Sequence, residues 1–286
     1  MIRLGKHAAR IVVTILLGGV LGATLVRIAP GFGVDESELD SRLNDSSVHA
    51  IRAVGETQEG IGWFYIHHVA RMVRGDLGTS RFLQRPVSEL LKERAPETAK
   101  SLGLGLVLAW ITGLGMALAV VVSRSWGLDF VASTVTGILL CLPAAVVSVL
   151  FALVQAPVRL ILGLVMLPHI FRFDRNLLLQ SAGRPHVLMA HAKGLGRSRV
   201  LLWHVLVPSA PQLLALGGVS VSMALTVAIP IEALCDLPGL GQLAWKAALG
   251  RDLYLLVNLT MLVTLVTLLA NCFSDLVSNG LKRQPA

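Results

Sequence analysis

The amino-acid sequence predicts an all-α, polytopic membrane protein of about six transmembrane helices. Three observations carry this. The 286 residues are 54% apolar and only 15% charged, with a mean hydropathy of +0.71, too apolar for an ordinary soluble domain. The apolar residues come in blocks, and a bilayer-spanning helix needs roughly 20 mostly apolar residues. The cations cluster at the ends of those blocks, as the positive-inside rule requires. The net charge of +8 is therefore a topology signal, not a nucleic-acid surface.

Residues 1–29 are predicted as the first membrane helix. Arg3, Lys6 and Arg10 precede an apolar run from Ile11 to Ala29 that is broken only by Arg27. The run is long for a signal peptide and no small-residue cleavage site follows it, so it reads as uncleaved. Gly18 and Gly22 share a face that would let another helix approach closely. Residues 30–98 form a polar, extracytoplasmic segment, with eleven acids and eight bases between Pro30 and Thr98. Within it, the stretch from Trp63 to Val73 suits a membrane interface. Gly75 to Ser80 forms a turn in which Asp76 accepts backbone N–H groups. Pro86 opens a short helix, and Ala95 to Thr98 leads into the next apolar block.

The core, residues 99–273, begins with a second helix from Ser101 to Val122. After the basic turn Ser123–Gly127 comes a third helix, Phe130 to Val154, kinked at Pro143. A short fourth run spans Val158 to Phe171, with Pro168, His169 and Arg172 marking its early exit. A basic loop (172–211) leads to the fifth helix, Gln212 to Ile231. An external segment (232–252) precedes the sixth, Leu253 to Phe273, and residues 274–286 form a tail. The N-terminus, the Arg124 turn, the basic loop and the tail are all net positive and fall on one side. Both termini are thus expected in the cytoplasm.

The basic loop holds Arg172, Arg175, Arg184, Lys193, Arg197 and Arg199, with Asp174 as its only carboxylate. Leu188, Ala192 and Leu195 fall on one helical face. Gly194 and Gly196 interrupt the helix, and the apolar run from Val200 to Val207 ends at Pro208. The pattern is short helix, glycine turn, short helix. From its residues alone, the loop is also compatible with an ordinary basic loop that only sets topology.

Ala190-His191-Ala192-Lys193-Gly194-Leu195, followed by Arg199-Val200-Leu201 and His204-Val205-Leu206, resembles the cytoplasmic "EAA" loop of ABC importer permeases. The likeness is to the dipeptide, oligopeptide and nickel branch, in which this loop docks on the ATPase subunit. It differs in carrying His191 where that branch often has arginine, and in lacking the opening glutamate. By this resemblance Ala190, His191, Ala192, Lys193, Gly194, Leu195, Arg197 and Arg199 are the ATPase-coupling residues.

Two further stretches extend the likeness. Gly75-Asp76-Leu77-Gly78-Thr79-Ser80 followed by Pro86 to Thr98 is similar to the motif before the family's second helix. The segment from Glu232 to Asp252, with Pro238-Gly239-Leu240-Gly241 at its centre, is similar to the family's external signature near the translocation path. Glu232, Asp236, Pro238, Gly239, Gly241, Arg251 and Asp252 are then outer-gate or pathway residues. Read without the family, the four charges among them are equally solvated helix ends. Only Gln155-Ala156-Pro157 separates the third and fourth runs, where relatives carry a substantial external segment.

The resemblance implies a type I (MetI-like) importer permease fold in a bacterial plasma membrane. It implies a second permease subunit, two cytoplasmic ATPases and an extracytoplasmic solute-binding protein, with a peptide, nickel or another small solute as cargo. No Walker A motif, HExxH, GxSxG or dinucleotide fingerprint occurs, and no nucleophile–base pair supports an enzyme. No cofactor or metal is expected. His67 and His68 are adjacent and read as surface or interfacial histidines. Cys141, Cys235 and Cys272 lack metal or redox spacing. The contracted region after Pro143 leaves a non-transporting membrane scaffold as the alternative reading.

Overall fold

The computed structural model describes residues 13–14, 16–21, 24, 61–155 and 157–282. Regular structure among them is helical, apart from an isolated bridge between Thr79 and Pro86. The helices are α1 (Ile61–Val73), α2 (Val87–Ser123), α3 (Trp126–Cys141), α4 (Ala144–Leu153), α5 (Val158–Ala182), α6 (Pro185–Ala192), α7 (Arg197–Val200), α8 (Val207–Leu234), α9 (Leu240–Leu249) and α10 (Leu253–Lys282), with one π-helical turn, Leu201–Leu206, joining α7 to α8.

Several expected boundaries move. The short helix after Pro86 and the second membrane helix are one 37-residue helix, α2, which runs through Pro96. The third helix is not kinked but broken: Pro143 caps α4, and α3 and α4 meet at 93°. The fourth run does not end at Phe171, because α5 continues through Pro168 to Ala182. Arg172, Asp174 and Arg175 therefore belong to a helix, not a loop, and Asp174 is fully buried. The run from Val200 does not stop at Pro208 but continues into α8.

Among the described residues, three helices, Val87–Ser123, Arg197–Leu234 and Leu253–Ser278, are long and apolar enough to cross a membrane. The bent α3–α4 pair is a fourth if taken as one span. The expected crossing at Val158 to Phe171 lies in α5, which also carries Arg159, Arg172, Asp174 and Arg175. Most of the expected first helix, Gly22 included, lies outside the described residues.

The chain divides into two compact units. The first comprises residues 1–93 and 244–265. Here Tyr65 of α1 packs with Val257 and Met261 of α10 and with Leu16, and its hydroxyl donates to the Leu16 carbonyl at 2.7 Å. Gly19 makes room for this contact: a Cβ there would lie 2.5 Å from the Tyr65 hydroxyl oxygen. Asp76 accepts the Gly78 N–H at 2.9 Å, the turn role expected of it. The Asn258 side chain holds the same turn by donating to the Leu77 carbonyl at 3.0 Å.

The second unit comprises residues 94–243 and 266–286. Its centre is α5, which buries Ile161, Leu162, Met166, Ile170, Phe171 and Leu178. One apolar cluster joins α5 to Ala109 of α2, Val147 of α4, and Ala224, Ala228 and Ile231 of α8. A second joins its far end to Ala117 and Val121 of α2, Ala132 of α3, and Val187, Ala190, Val200 and Val205. Arg175 adds a bidentate ion pair with Asp129 at the start of α3. The two oxygens match the planar guanidinium fork. At the seam of α8 and α10, Ser274 donates to the Leu214 carbonyl, and a Cβ on Gly218 would come within 2.8 Å of the Ser274 Cβ.

Gly105 of α2 sets how closely α5 approaches. A Cβ on Gly105 would stand 2.5 Å from Leu162 Cδ2 and 3.1 Å from the Arg159 carbonyl, and one on Gly163 would stand 3.2 Å from the Gly105 carbonyl. Gly103, two residues earlier, has nothing within 4 Å of such a Cβ. We expect Gly105→Leu to cost about 1–3 kcal/mol through overpacking and Gly103→Leu to be close to neutral. Thermal unfolding of the two purified variants in one detergent checks this; equal midpoints would show that Gly105 does not set the spacing.

Candidate functional site

The sequence-predicted coupling residues cluster around α6. Pro185 sits in its first turn, where its missing N–H needs no partner. The helix ends at Ala192, with Lys193 as C-cap. Gly194 then takes φ +75°, a left-handed conformation that glycine adopts without steric cost. Leu195 N–H returns to the Ala190 carbonyl at 3.3 Å, closing the helix end. Helix, turn and helix thus follow in the predicted order.

Val187 and Ala190 point into the core at 2% and 3% exposure, while Leu188 and Met189 are exposed at 75% and 62%. Ala192 is also exposed, and Leu195 is half-buried against the core. Of the stripe Leu188, Ala192, Leu195, the first two share the exposed face of α6, and Leu195 lies beyond the helix end. Ala190 is small because it packs against its own chain. His191, Lys193, Arg197 and Arg199 are exposed around the turn.

A histidine ties α6 to the following helical turn: His186 of α6 lies with its Nε2 2.9 Å from the His204 carbonyl oxygen. In that π-helical turn, Val207 N–H reaches the Leu202 carbonyl. The Val205 carbonyl accepts from the hydroxyls of Ser209 at 2.7 Å and Ser181 at 3.2 Å. Through Ser181, α5 joins the same anchor.

The predicted outer residues divide into two sites. Glu232, in the last turn of α8, is 1% exposed. It accepts the Thr98 hydroxyl at 3.1 Å and the Gly241 N–H at 2.7 Å. The Thr98 oxygen in turn accepts the Leu240 N–H at 2.7 Å. Leu240 and Gly241 open α9, whose first N–H groups have no helical partner. A carboxylate is the favoured acceptor at that positive helix end. The two glycines are required by proximity. A Cβ on Gly239 would fall 2.2 Å from Glu232 Oε2, and one on Gly241 would fall 2.8 Å from the Ala228 carbonyl. Pro238 lies in the turn between Asp236, at φ +50°, and α9. Asp236 accepts from the Gln242 amide, and the Gln242 carbonyl oxygen lies 3.4 Å from an Arg94 nitrogen.

Arg251 and Asp252 belong to the first unit. Asp252 is buried and caps α10. One of its oxygens accepts the Leu255 N–H at 3.1 Å, and the other accepts the Ser80 hydroxyl at 2.5 Å and the Phe82 N–H at 3.1 Å. Neither Glu232 nor Asp252 is a solvated helix-end charge. Arg251 is exposed, with φ +49°. Of the adjacent histidines, His67 is exposed, but His68 is fully buried against Tyr254, contrary to the surface reading. Burial, reinforced by the Arg71 charge, holds the His68 imidazole below its usual pKa range.

Sequence reasoning missed Thr98, which looked like a linker residue, and Gln242. The signal available for Thr98 was a hydroxyl at the mouth of an apolar block. Thr98→Val keeps the shape but leaves the Leu240 N–H without its acceptor and removes one of the two donors to Glu232 Oε2, which keeps the Gly241 N–H. We expect it to destabilise the protein by about 1–3 kcal/mol, whereas Thr98→Ser should retain most of the stability. Unfolding midpoints of both variants decide this, and a neutral Thr98→Val would remove Thr98 from the cluster's support.

Residues 109–284 match the family described as "Binding-protein-dependent transport system inner membrane component". The oligopeptide transport system permease protein OppB of Escherichia coli K12 is 27% identical over 222 residues, covering 70% of this chain and 72% of its own. OppB of Haemophilus influenzae is 25% identical, covering 88% and 89%. The glutathione transport system permease protein GsiC of Salmonella choleraesuis is 27% identical, covering 75% of each chain. In fold, the chain is similar to a chain of the MetNI methionine ABC transporter in an inward-facing conformation, with a TM-score of 0.62 and 17% identity, covering 68% of this chain and 98% of that one. The family match spans most of the described helices, α6 and the Glu232 turn included, and the chain belongs to the binding-protein-dependent transport system inner membrane components, as a multi-pass permease subunit of an ABC importer.

Proposed function

We propose that this permease carries peptides across a bacterial plasma membrane. A second permease subunit, identical or different, completes the path. Two cytoplasmic ATPases drive it and an extracytoplasmic solute-binding protein feeds it. Both termini and α6 lie on the cytoplasmic side, and the Glu232 turn lies toward the outer mouth. The peptide assignment is supported by the names of the OppB relatives, and the topology by the distribution of cations.

One observation carries the mechanical part: α6 buries Val187 and Ala190 in its own bundle while exposing Leu188 and Met189. A helix braced on one side and apolar on the other is suited to transmit force from a partner. ATP-driven closure of the ATPases would move α6. The braces through His186 and Ser181 would carry that movement to α8 and α5, shifting the balance between inward- and outward-facing states. Gly194, Lys193, Arg197 and Arg199 shape and charge the rim of the contact, where each exposed charge adds little.

We expect Leu188→Glu to weaken ATPase association by about 10- to 150-fold, the equivalent of exposing one buried leucine side chain. Arg199→Ala should do much less. Co-purification, coupled ATP hydrolysis and peptide uptake in proteoliposomes check this. Normal association and uptake in Leu188→Glu would remove α6 as the docking element. A wild-type complex that assembles and hydrolyses ATP but carries no solute would favour the scaffold reading, which the three-residue link at Gln155 to Pro157 supports.

A further inference from the structure

Between the end of α2, α6 and α7 lies a cavity of about 440 Å³ that the functional reading does not use. This lies within the roughly 300–1,000 Å³ range of small-molecule sites. Its floor is apolar and buried, with Val121, Val187 and Val200 each at most 9% exposed. Its rim is exposed and formed by the cations Arg124 and Arg197 with the His191 imidazole between them in sequence. No carboxylate is among the described residues that line it. The rim groups come from three separate pieces of chain. Arg124 sits at the corner between α2 and α3 with φ +52°, a conformation uncommon outside glycine. His191 is in the last turn of α6, with Nδ1 2.9 Å from the Val187 carbonyl. Arg197 opens α7.

An apolar floor under a purely basic rim is complementary to one class of molecule. We propose that this cavity binds a single-chain anionic amphiphile, its acyl chain on the valine floor and its carboxylate or phosphate among Arg124, His191 and Arg197. A neutral chain would leave the clustered positive charge uncompensated, and a small anion would leave the floor empty. The bound head group would tie the α2–α3 corner to both sides of the Gly194 turn. Any consequence for coupling rests on α6 being the docking helix, whereas the binding itself does not.

The test uses the full-length protein in phosphatidylcholine nanodiscs, with a diazirine-bearing fatty acid as photoprobe and peptide mass spectrometry as readout. We expect crosslinks to concentrate at residues 121–124, 187–191 and 197–205. Decanoate should compete at least about tenfold better than decanol or acetate. Each cation removed should weaken labelling about fivefold, so Arg124→Gln with Arg197→Gln should lower it by roughly 25-fold. Repeating the labelling in phosphatidylglycerol nanodiscs tests the single chain: retained labelling is expected, and labelling lost to the two-chain anionic lipid would overturn the single-chain assignment. Labelling spread evenly over the lipid-facing helices, decanol matching decanoate, or an unchanged double variant would overturn the proposal. None of these outcomes depends on whether the chain carries peptides.

Discussion

A backbone N–H or C=O that loses its helical partner away from water costs several kcal/mol unless another group satisfies it. In this chain, side chains meet that demand where helices begin. The first N–H groups of α9 meet Thr98 and Glu232. The start of α10 meets Asp252, which also gathers Ser80 and Phe82. Each satisfied backbone group is also a tertiary tie, so the breaks in the helices are where segments far apart in sequence are held together.

The second constraint is close approach. Gly105 and Gly163 let α2 and α5 come together with little side chain between them, and Gly218 does the same for α8 and α10. Gly239 and Gly241 let the turn before α9 lie directly on the Glu232 carboxylate. In a membrane, where lipid is as apolar as leucine, such small-residue contacts are a main source of helix association. At Gly105, Gly218, Gly239 and Gly241 an added Cβ would meet an atom within 3.0 Å, so a larger side chain there forces the neighbours to shift.

In the α6 segment, the inner face is held by apolar packing and by the His186 contact to the His204 carbonyl, while Leu188 and Met189 are left exposed on the other side. The cavity beside it adds a third contact surface, in which a bound amphiphile would draw Arg124, His191 and Arg197 together. If α6 docks the ATPase as proposed, it must be stiffly joined to the membrane helices, and it packs on α5 and on the turn before α8 through side chains.

Much of this was legible in the sequence, because the relevant signals are local. Apolar block length reports membrane helices, and the runs around Lys193-Gly194 and Pro238-Gly241 carry the turns in their own glycines. The prolines were misleading. The helix opened by Pro86 was read as separate from the next block, and Pro168 and Pro208 as an exit and an end, yet Pro96, Pro168 and Pro208 all lie within continuous helical segments. The choice of Ala190 over Ala192 as the buried residue, and the role of Thr98, were also out of reach. Sequence by itself determined that the chain is a bundle of apolar helices with a basic helix–turn–helix loop and a glycine turn, since composition and short-range backbone preference decide those. Only the tertiary structure decided which face of α6 is inward, that Arg175 pairs with Asp129 and that Glu232 caps α9 with Thr98. Those facts depend on groups 46 or 134 residues apart in the chain, which meet only once the helices have packed.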